Sequence, residues 1–285
     1  MSVDRPIVWA AAALGTRAVS ATPLLGGVEA VVHRVALADG RTVVVRAFDN
    51  GGAWGPEHEV VALRALAGAP LPMPELLAVD LEGEHAGIPT VVVSWLPGDI
   101  DYRKPPAVVG RELEPVFRRI ADVPVTDALR ALPDELAYAV DRVGGPCSEK
   151  LSALPDAEDI WVAMRACAPP RDTPRCFVHA DVWTGNVLWE GDRLTGLIDW
   201  SDACLAEPAR DRAPTRVDLA VLHDDGAEQH VEPAAHQDFW DAWYAVTLVA
   251  MLPDWWPGYA PVHDGLSIDE AKARALRFAR RALRI

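Results

Sequence analysis

The sequence predicts an α+β chain in two parts: a small N-terminal antiparallel sheet carrying one helix, over residues 1–96, and a larger, mainly helical part over residues 97–285. Three observations predict this division. Residues 29–48, EAVVHRVALADGRTVVVRAF, hold two β-branched runs on either side of Asp39-Gly40, a strong hairpin signal. Pro97-Gly98 then breaks the strand pattern. Beyond it, apolar residues recur at helical spacing in one stretch after another.

In chain order, IVWAAAALG (Ile7 to Gly15) has the apolar look of a short signal segment. Asp4 offsets Arg5, Arg17 follows the run and a strand pattern begins soon after, so a secretory leader is not expected. After the 29–48 hairpin come a loop, DNGGAWG, and the stretch PEHEVVALRALAGA. There Pro56 suits a first helical turn and the apolar spacing is helical. LPMPELLAVD and TVVVSWLPG read as a second strand pair around a Gly-containing turn. Past Pro97-Gly98, VVGRELEPVFRRIADV, EDIWVAMRACA and HQDFWDAWYAVTLVAML read as helices. Ser267-Ile268-Asp269-Glu270 forms a capping box ahead of AKARALRFARRALRI. No internal repeat or low-complexity tract interrupts this order.

Composition narrows the classes. Of 285 residues, 50% are hydrophobic and 24% charged, the balance of a soluble globular protein able to fill a core. A net charge of −15 argues against nucleic acid or an anionic membrane as partner, because phosphates repel such a surface. The acidity suits a cationic small substrate, and solubility alone accounts for it equally well. Four cysteines (Cys147, Cys167, Cys176, Cys204) without CxxC spacing suggest neither a zinc site nor a disulfide framework, which fits a reduced, cytoplasmic setting. No apolar run approaches the ~20 residues of a membrane span.

The chemistry concentrates in VHADVWTGNVLWEGDRLTGLIDW, Val178 to Trp200. Phe177-Val178 reads as a short strand that delivers His179 and Asp181 into a loop. Val187-Leu188-Trp189 reads as the next strand, Glu190 to Arg193 as a turn, and Leu194 to Ile198 as the returning strand. A hairpin brings its open ends together, so Asn186, just before the outgoing arm, and Asp199, at the end of the returning arm, become neighbours. Buried polar groups need partners or a role. One carboxylate and one carboxamide oxygen suit Mg2+, which takes few protein ligands alongside water and phosphate oxygens. Asp181, five residues before Asn186, is left as a candidate base or hydroxyl-orienting group.

H-x-D-x-x-x-x-N followed by a hairpin and I-D-W resembles the Brenner motif of the aminoglycoside phosphotransferases, which are related to protein kinases. The resemblance implies a protein-kinase-like two-lobed fold. It also implies transfer of phosphate from ATP or GTP, with Mg2+, to a hydroxyl of a small, possibly cationic molecule. Carried over by position, Asp181 accepts or orients the hydroxyl proton, Asn186 and Asp199 hold the metal, and His179 supports the loop. Arg46 stands where the family has a strand lysine and steadies the phosphates, Glu59 is its helix partner, the backbone of Ser94, Trp95 and Leu96 meets the adenine, and the loop with Gly26 and Gly27 covers the phosphates. Several positions depart from the pattern. Ala180 replaces a usual Gly, Arg46 a usual Lys, and no G-x-G-x-x-G occurs near residue 26. Ala206-Glu207-Pro208 replaces G-D-P, and Asp218-Leu219-Ala220 follows an apparent insertion rich in Arg and Pro. Asp211 or Asp218 is then the residue that orients the loop. Asp202, Glu207, Asp238 and Asp241 are candidates for an acidic substrate wall.

The resemblance implies an aminoglycoside-like acceptor and antibiotic resistance. A macrolide, choline, homoserine or an amino sugar is the alternative. A nucleotide-binding regulator without turnover is a reading of a different class, favoured by Arg46 and the missing glycine motif. A metal-dependent hydrolase built on His179-x-Asp181 lacks a second histidine element. Serine hydrolysis lacks G-x-S-x-G, and dehydrogenase chemistry lacks its glycine fingerprint.

Overall fold

The structure, a computed structural model, describes residues 4–24, 30–48, 56–147, 149–152, 154, 156–223, 226–259 and 265–285. The proposed phosphate loop at Gly26-Gly27 lies outside them. The first sheet has five antiparallel strands, β1 (Ala18–Leu24), β2 (Ala30–Leu37), β3 (Thr42–Phe48), β4 (Leu76–Asp80) and β5 (Thr90–Ser94), in the order β1-β2-β3-β5-β4. The β2–β3 hairpin closes with Ala36 opposite Thr42. Gly40 takes φ +90 in the turn and the Asp39 carboxylate accepts the Arg41 N–H at 3.0 Å.

Two helices flank this sheet where the sequence suggested one. The run at Ile7 is helical: α1 (Asp4–Ala13) packs Ile7, Ala10 and Ala11 on Val35, Val43, Val45 and Val92. α2 (Glu57–Ala65) sets Val60, Ala62 and Leu63 among Phe48, Val91 and Val93. The physical reason is that the central strands are apolar on both faces, so each face needs a cover. Side chains alternate along β3, which puts Val43, Val45 and Ala47 toward α1, and Val44, Arg46 and Phe48 toward α2. That parity places Arg46 beside Glu59.

The chain leaves the sheet at Ser94 and β6 (Asp99–Ile100) joins a three-stranded sheet, β6-β8-β9, with β8 (Val187–Glu190) and β9 (Arg193–Leu197). Gly98 (φ +107) has no room for a side chain: a Cβ there would run into Thr195 Oγ1. Thr195 in turn donates to the Pro97 carbonyl at 2.7 Å, and Leu96 lies against Gly196. The crossing segment is thus seated on the hairpin.

The remainder is α3 (Pro106–Ala121), α4 (Glu135–Gly144), α5 (Glu149–Ser152), α6 (Ala157–Cys167), a β7 (Cys176–Val178) and β10 (Cys204–Ala206) pair, α7 (Pro208–Leu222), α8 (Gln237–Tyr259) and α9 (Ile268–Leu283). Phe239, Trp240, Trp243, Val246 and Val249 of α8 pack with Val217 and Val221 of α7 and with Ala275, Phe278 and Ala279 of α9 in one core. Ser267 caps α9 by accepting the Glu270 N–H. The Arg- and Pro-rich stretch before Asp218, read from the sequence as an insertion, lies within the continuous helix α7. Pro208 sits in its first turn, where a missing N–H costs nothing, and Pro214 interrupts only one helical hydrogen bond. Among the described residues no helix is long and apolar enough to cross a membrane.

Candidate active site

β7 carries the chain to His179, which is fully buried, with its ring 4.4 Å from that of Trp200. His179 Nε2 lies 3.1 Å from the Ile198 carbonyl, and Nδ1 lies 3.2 Å from the Asp181 N–H. An acceptor at Nδ1 and a donor at Nε2 is the pattern of one neutral tautomer. Burial pushes the pKa down to about 4. The folded state therefore resists a proton that the unfolded chain takes up near pH 6.5, and stability is lost as pH falls from there toward 4. The contribution is on the order of 3 kcal/mol. Denaturant unfolding of the wild type and of His179→Asn at pH 7 and at pH 4.5 isolates it from Glu59, Asp202 and Asp211, which burial raises into the same pH range. The His179→Asn variant, which keeps an acceptor for the Asp181 N–H without titrating, is less stable at pH 7 and shows a shallower slope.

Ala180 to Asn186 is held from outside by one face of α7. Asp211, fully enclosed, accepts the Ala180 N–H at 2.7 Å. Asp218 accepts the Thr184 N–H at 3.0 Å and the Thr184 hydroxyl. Between them Thr215 donates to the Val182 carbonyl, and Arg210 donates to the Ala180 carbonyl while pairing with Glu135 at 2.8 Å. Positions 211, 215 and 218 are the i, i+4, i+7 stripe of a helix. Asp211 and Asp218 thus hold opposite ends of one loop, the first tying its entry and the second its exit. Burial pushes Asp211 up to about 6, against the Ala180 N–H and the charges of Arg210 and Arg212.

Ala180 itself sits at φ +69, a conformation costly for any residue with a Cβ. Ala180→Gly is expected to stabilise the protein by about 1 kcal/mol, a rise of about 2–4 °C in Tm by calorimetry. At Gly185 a Cβ would collide with the Trp183 ring, so a larger residue there must displace that side chain.

At the open end of the hairpin, Val187 pairs with Leu197 and the Ile198 N–H reaches the Asn186 carbonyl at 3.0 Å. This sets Asn186 beside Asp199. Asn186 Nδ2 donates to the carboxylate of Asp181 at 2.8 Å and to its carbonyl at 2.9 Å. With its nitrogen committed, its Oδ1 faces the other way. Asp199 takes φ +62, which aspartate tolerates better than most residues. Its Oδ1 accepts from Arg46 Nη2 at 2.8 Å and from the Ser201 hydroxyl at 2.7 Å. Partial desolvation pushes the Asp199 carboxyl up, but the Arg46 guanidinium and Ser201 outweigh it and hold it below the usual carboxylate range. The other nitrogen of the Arg46 fork pairs with Glu59, which burial pushes up to about 7 against the pull of Arg46.

These residues fit a divalent cation. An ionised, part-exposed carboxylate and a carboxamide oxygen stand together at the hairpin end, and the chemistry of that donor set suits Mg2+ shared with phosphate oxygens. Among the described residues no group of three or more His, Cys, Asp or Glu is arranged to hold a metal by protein ligands alone.

Asp181 is a carboxyl raised by its surroundings. Burial, then the charges of Asp202 and Asp199, push it well above its ordinary value, with Arg210 and the Tyr244 hydroxyl opposing. Tyr244 donates to Oδ1 at 3.3 Å, and the Arg210 guanidinium lies 5.6 Å from the centre of the Tyr244 ring. Of the proposed acidic wall, only Asp202 stands near Asp181, and burial raises it to about 6. Glu207 is interior, accepting from His236 at 2.7 Å and Trp240 at 2.9 Å. Asp241 is interior too, held by Arg216 and Gln237, and Asp238 lies 3.5 Å from the exposed Arg284. Glu207 and Asp241 are braces of the helical part, because helix-facing carboxylates there meet buried Arg, Trp and amide donors, whereas Asp238 is exposed. Ser94 accepts the Glu75 N–H at its hydroxyl, and the Trp95 ring lies under the Arg34 guanidinium at 4.3 Å.

The sequence did not nominate Tyr244, Ser201, Arg210 or Thr215. Tyr244, set in the apolar second half of HQDFWDAWYAV, was the one available signal, since a buried hydroxyl needs a partner. Arg210 gave none: its partner Glu135 is distant in sequence.

An antiparallel sheet with its helix, seated through a short crossing segment on a helical body that carries this loop and hairpin, is the protein-kinase-like fold. The model of the phosphotransferase enzyme family (APH) matches residues 20–250, and the chain belongs to that family. Its curated relatives include a homoserine kinase of Methylobacterium nodulans, 33% identical over 167 residues, 54% of this chain and 49% of that one. Another is a homoserine kinase of Rhizobium meliloti, 31% identical over 147 residues, 47% and 42% of the two chains. The matched stretch spans about half the length of these relatives. Among solved structures, a thermostable mutant of aminoglycoside phosphotransferase APH(4)-Ia, in ternary complex with ADP and hygromycin B, superposes with a TM-score of 0.68. It is 17% identical, with 98% of each chain covered. The GDP complex of aminoglycoside 2'-phosphotransferase-IIIa gives 0.58, at 16% identity over 93% of this chain and 92% of that one.

Proposed function

We propose that the chain transfers the terminal phosphoryl group of a nucleoside triphosphate to the hydroxyl of a small amine-bearing acceptor. The nucleotide lies between the sheet part (residues 1–96) and the helical part (97–285), its base along Ser94 to Leu96. The observation that carries this reading is the open end of the β8–β9 hairpin, where Asp181, Asn186 and Asp199 converge. Asn186 and Asp199 would hold Mg2+, which when bound neutralises phosphate charge. Asp181 orients the acceptor hydroxyl and receives its proton. Asn186 fixes one oxygen of that carboxylate and Tyr244 the other. Arg46 and Glu59 brace Asp199 from the sheet side. His179, Asp211, Thr215 and Asp218 keep the loop in place without touching substrate. Positioning of this kind is most of what phosphoryl transfer asks of a protein.

For the acceptor, 33% identity to homoserine kinases favours a hydroxylated amino acid such as homoserine. The second reading, an aminoglycoside, is favoured by similarity over nearly the whole chain to a structure holding hygromycin B. Both acceptors carry amino groups, and Asp202, the acidic neighbour of Asp181, is the residue that would meet one. A coupled nucleotide-consumption screen with ATP and GTP separates the readings, using homoserine, choline, amino sugars, macrolides and aminoglycosides. Turnover on an amine-bearing alcohol is expected, and its loss in Asp199→Asn, which keeps the left-handed backbone but not the charge. Nucleotide binding without turnover on any acceptor turns the reading to a regulator. No thermal shift with either nucleotide and Mg2+ ends both.

A further inference from the structure

The resemblance gives residue 46 a phosphate-steadying role, but the geometry of the arginine itself points elsewhere. Alternation along β3 puts Arg46 on the α2 face. There one nitrogen of its planar fork is taken by Glu59 and the other lies 2.8 Å from Asp199 Oδ1. Its side chain is 11% exposed and that of Glu59 1%, so the guanidinium is fixed by a buried partner before it meets the site. Ser201 adds a second donor to the same Oδ1 at 2.7 Å. Two donors on one oxygen set the plane of the carboxylate and leave Oδ2 without a protein hydrogen bond among the described residues, on the hairpin end it shares with Asn186. The left-handed backbone at Asp199 gives this clamp a purpose, since a strained residue keeps its orientation only when its surroundings over-determine it. A lysine is a point donor on a flexible stem and lacks the fork that spans helix and hairpin.

We propose that Arg46 is a positioning residue for the metal half of the site: it orients Asp199 toward a divalent cation, so that its fork governs the metal-dependent part of nucleotide binding. The inference rests on the phosphotransfer reading above. Groups that hold a metal-binding carboxylate in place commonly change metal affinity by about 10–100-fold when replaced.

Isothermal titration of ADP, with and without Mg2+, into the wild-type chain and Arg46→Lys tests it. The variant keeps the charge and loses the fork. Expected is a Mg2+-dependent gain in ADP affinity in the wild type that shrinks by about tenfold or more in Arg46→Lys, with metal-free ADP affinity within about threefold. Ser201→Ala, which removes the other donor to Oδ1 without touching the sheet, is expected to shrink the same gain by a smaller factor. It carries the test if Arg46→Lys does not fold. A fall in metal-free ADP affinity with the Mg2+ gain intact overturns the proposal and returns Arg46 to the phosphates, as does an unchanged gain in Ser201→Ala where that variant stands alone. Wild-type protein that binds no ADP under either condition overturns the phosphotransfer reading itself.

Discussion

Asp181→Ala is expected to lower the turnover number for phosphoryl transfer by about 10²–10⁴ while leaving nucleotide affinity nearly unchanged. The carboxylate lies between the amide of Asn186 and the hydroxyl of Tyr244, and touches neither Arg46 nor Asp199 by hydrogen bond. The same substitution is expected to leave Tm unchanged or raise it. Asp181 is half-buried beside the like charges of Asp202 and Asp199, and relief of that repulsion offsets the acceptor its removal takes from Asn186 and Tyr244. Opposite signs for activity and stability distinguish a catalytic group from a structural one. Steady-state kinetics and calorimetry on one preparation check both, and turnover within tenfold of wild type removes Asp181 from the mechanism.

Asp211→Ala is expected to lower both. The carboxylate is 2% exposed and accepts the Ala180 N–H, so its loss leaves a buried donor unpaired and takes one of the carboxylates from beside Arg210 and Arg212, which keep Glu135 and Glu114. About 2–4 kcal/mol of stability is at stake, a drop in Tm on the order of 10 °C. Ala180 occupies its left-handed conformation against its own preference, and the Asp211 bond is one of the two contacts that keep it there. Once released, the loop moves Asp181. A displacement of about 1 Å costs roughly 10²-fold in turnover even at a temperature where the variant is fully folded. Asp211→Asn restores an acceptor for the N–H, so most of the turnover is expected to return. Equal loss in the Asn and Ala variants contradicts the account.

What the residues determined alone is local. The β2–β3 hairpin followed from Asp39-Gly40 between β-branched runs, and the β8–β9 hairpin from its apolar arms and the Glu190–Arg193 turn, because turn chemistry and alternation act over a few residues. The hairpin in turn fixed the meeting of Asn186 with Asp199. The capping box at Ser267 set the start of α9 in the same way. The helical identity of the N-terminal run was decided at longer range, by the uncovered α1 face of the sheet, which no window of sequence around Ile7 contains.

The supports of the site were decided only by the tertiary structure. The choice between Asp211 and Asp218 had no sequence answer, since both fit the expected place; α7 turned out to be a continuous helix, and its stripe gave each a different end of the same loop. Glu207 and Asp241, candidates in the sequence for an acidic substrate wall, are instead buried by the packing of α8, against His236, Trp240 and Arg216. Tyr244 reaches Asp181 across 63 residues of sequence and Arg46 reaches Asp199 across 153. The sequence encodes which groups want a partner, because an isolated buried charge or hydroxyl costs free energy; which partner each one finds depends on packing among distant helices and strands.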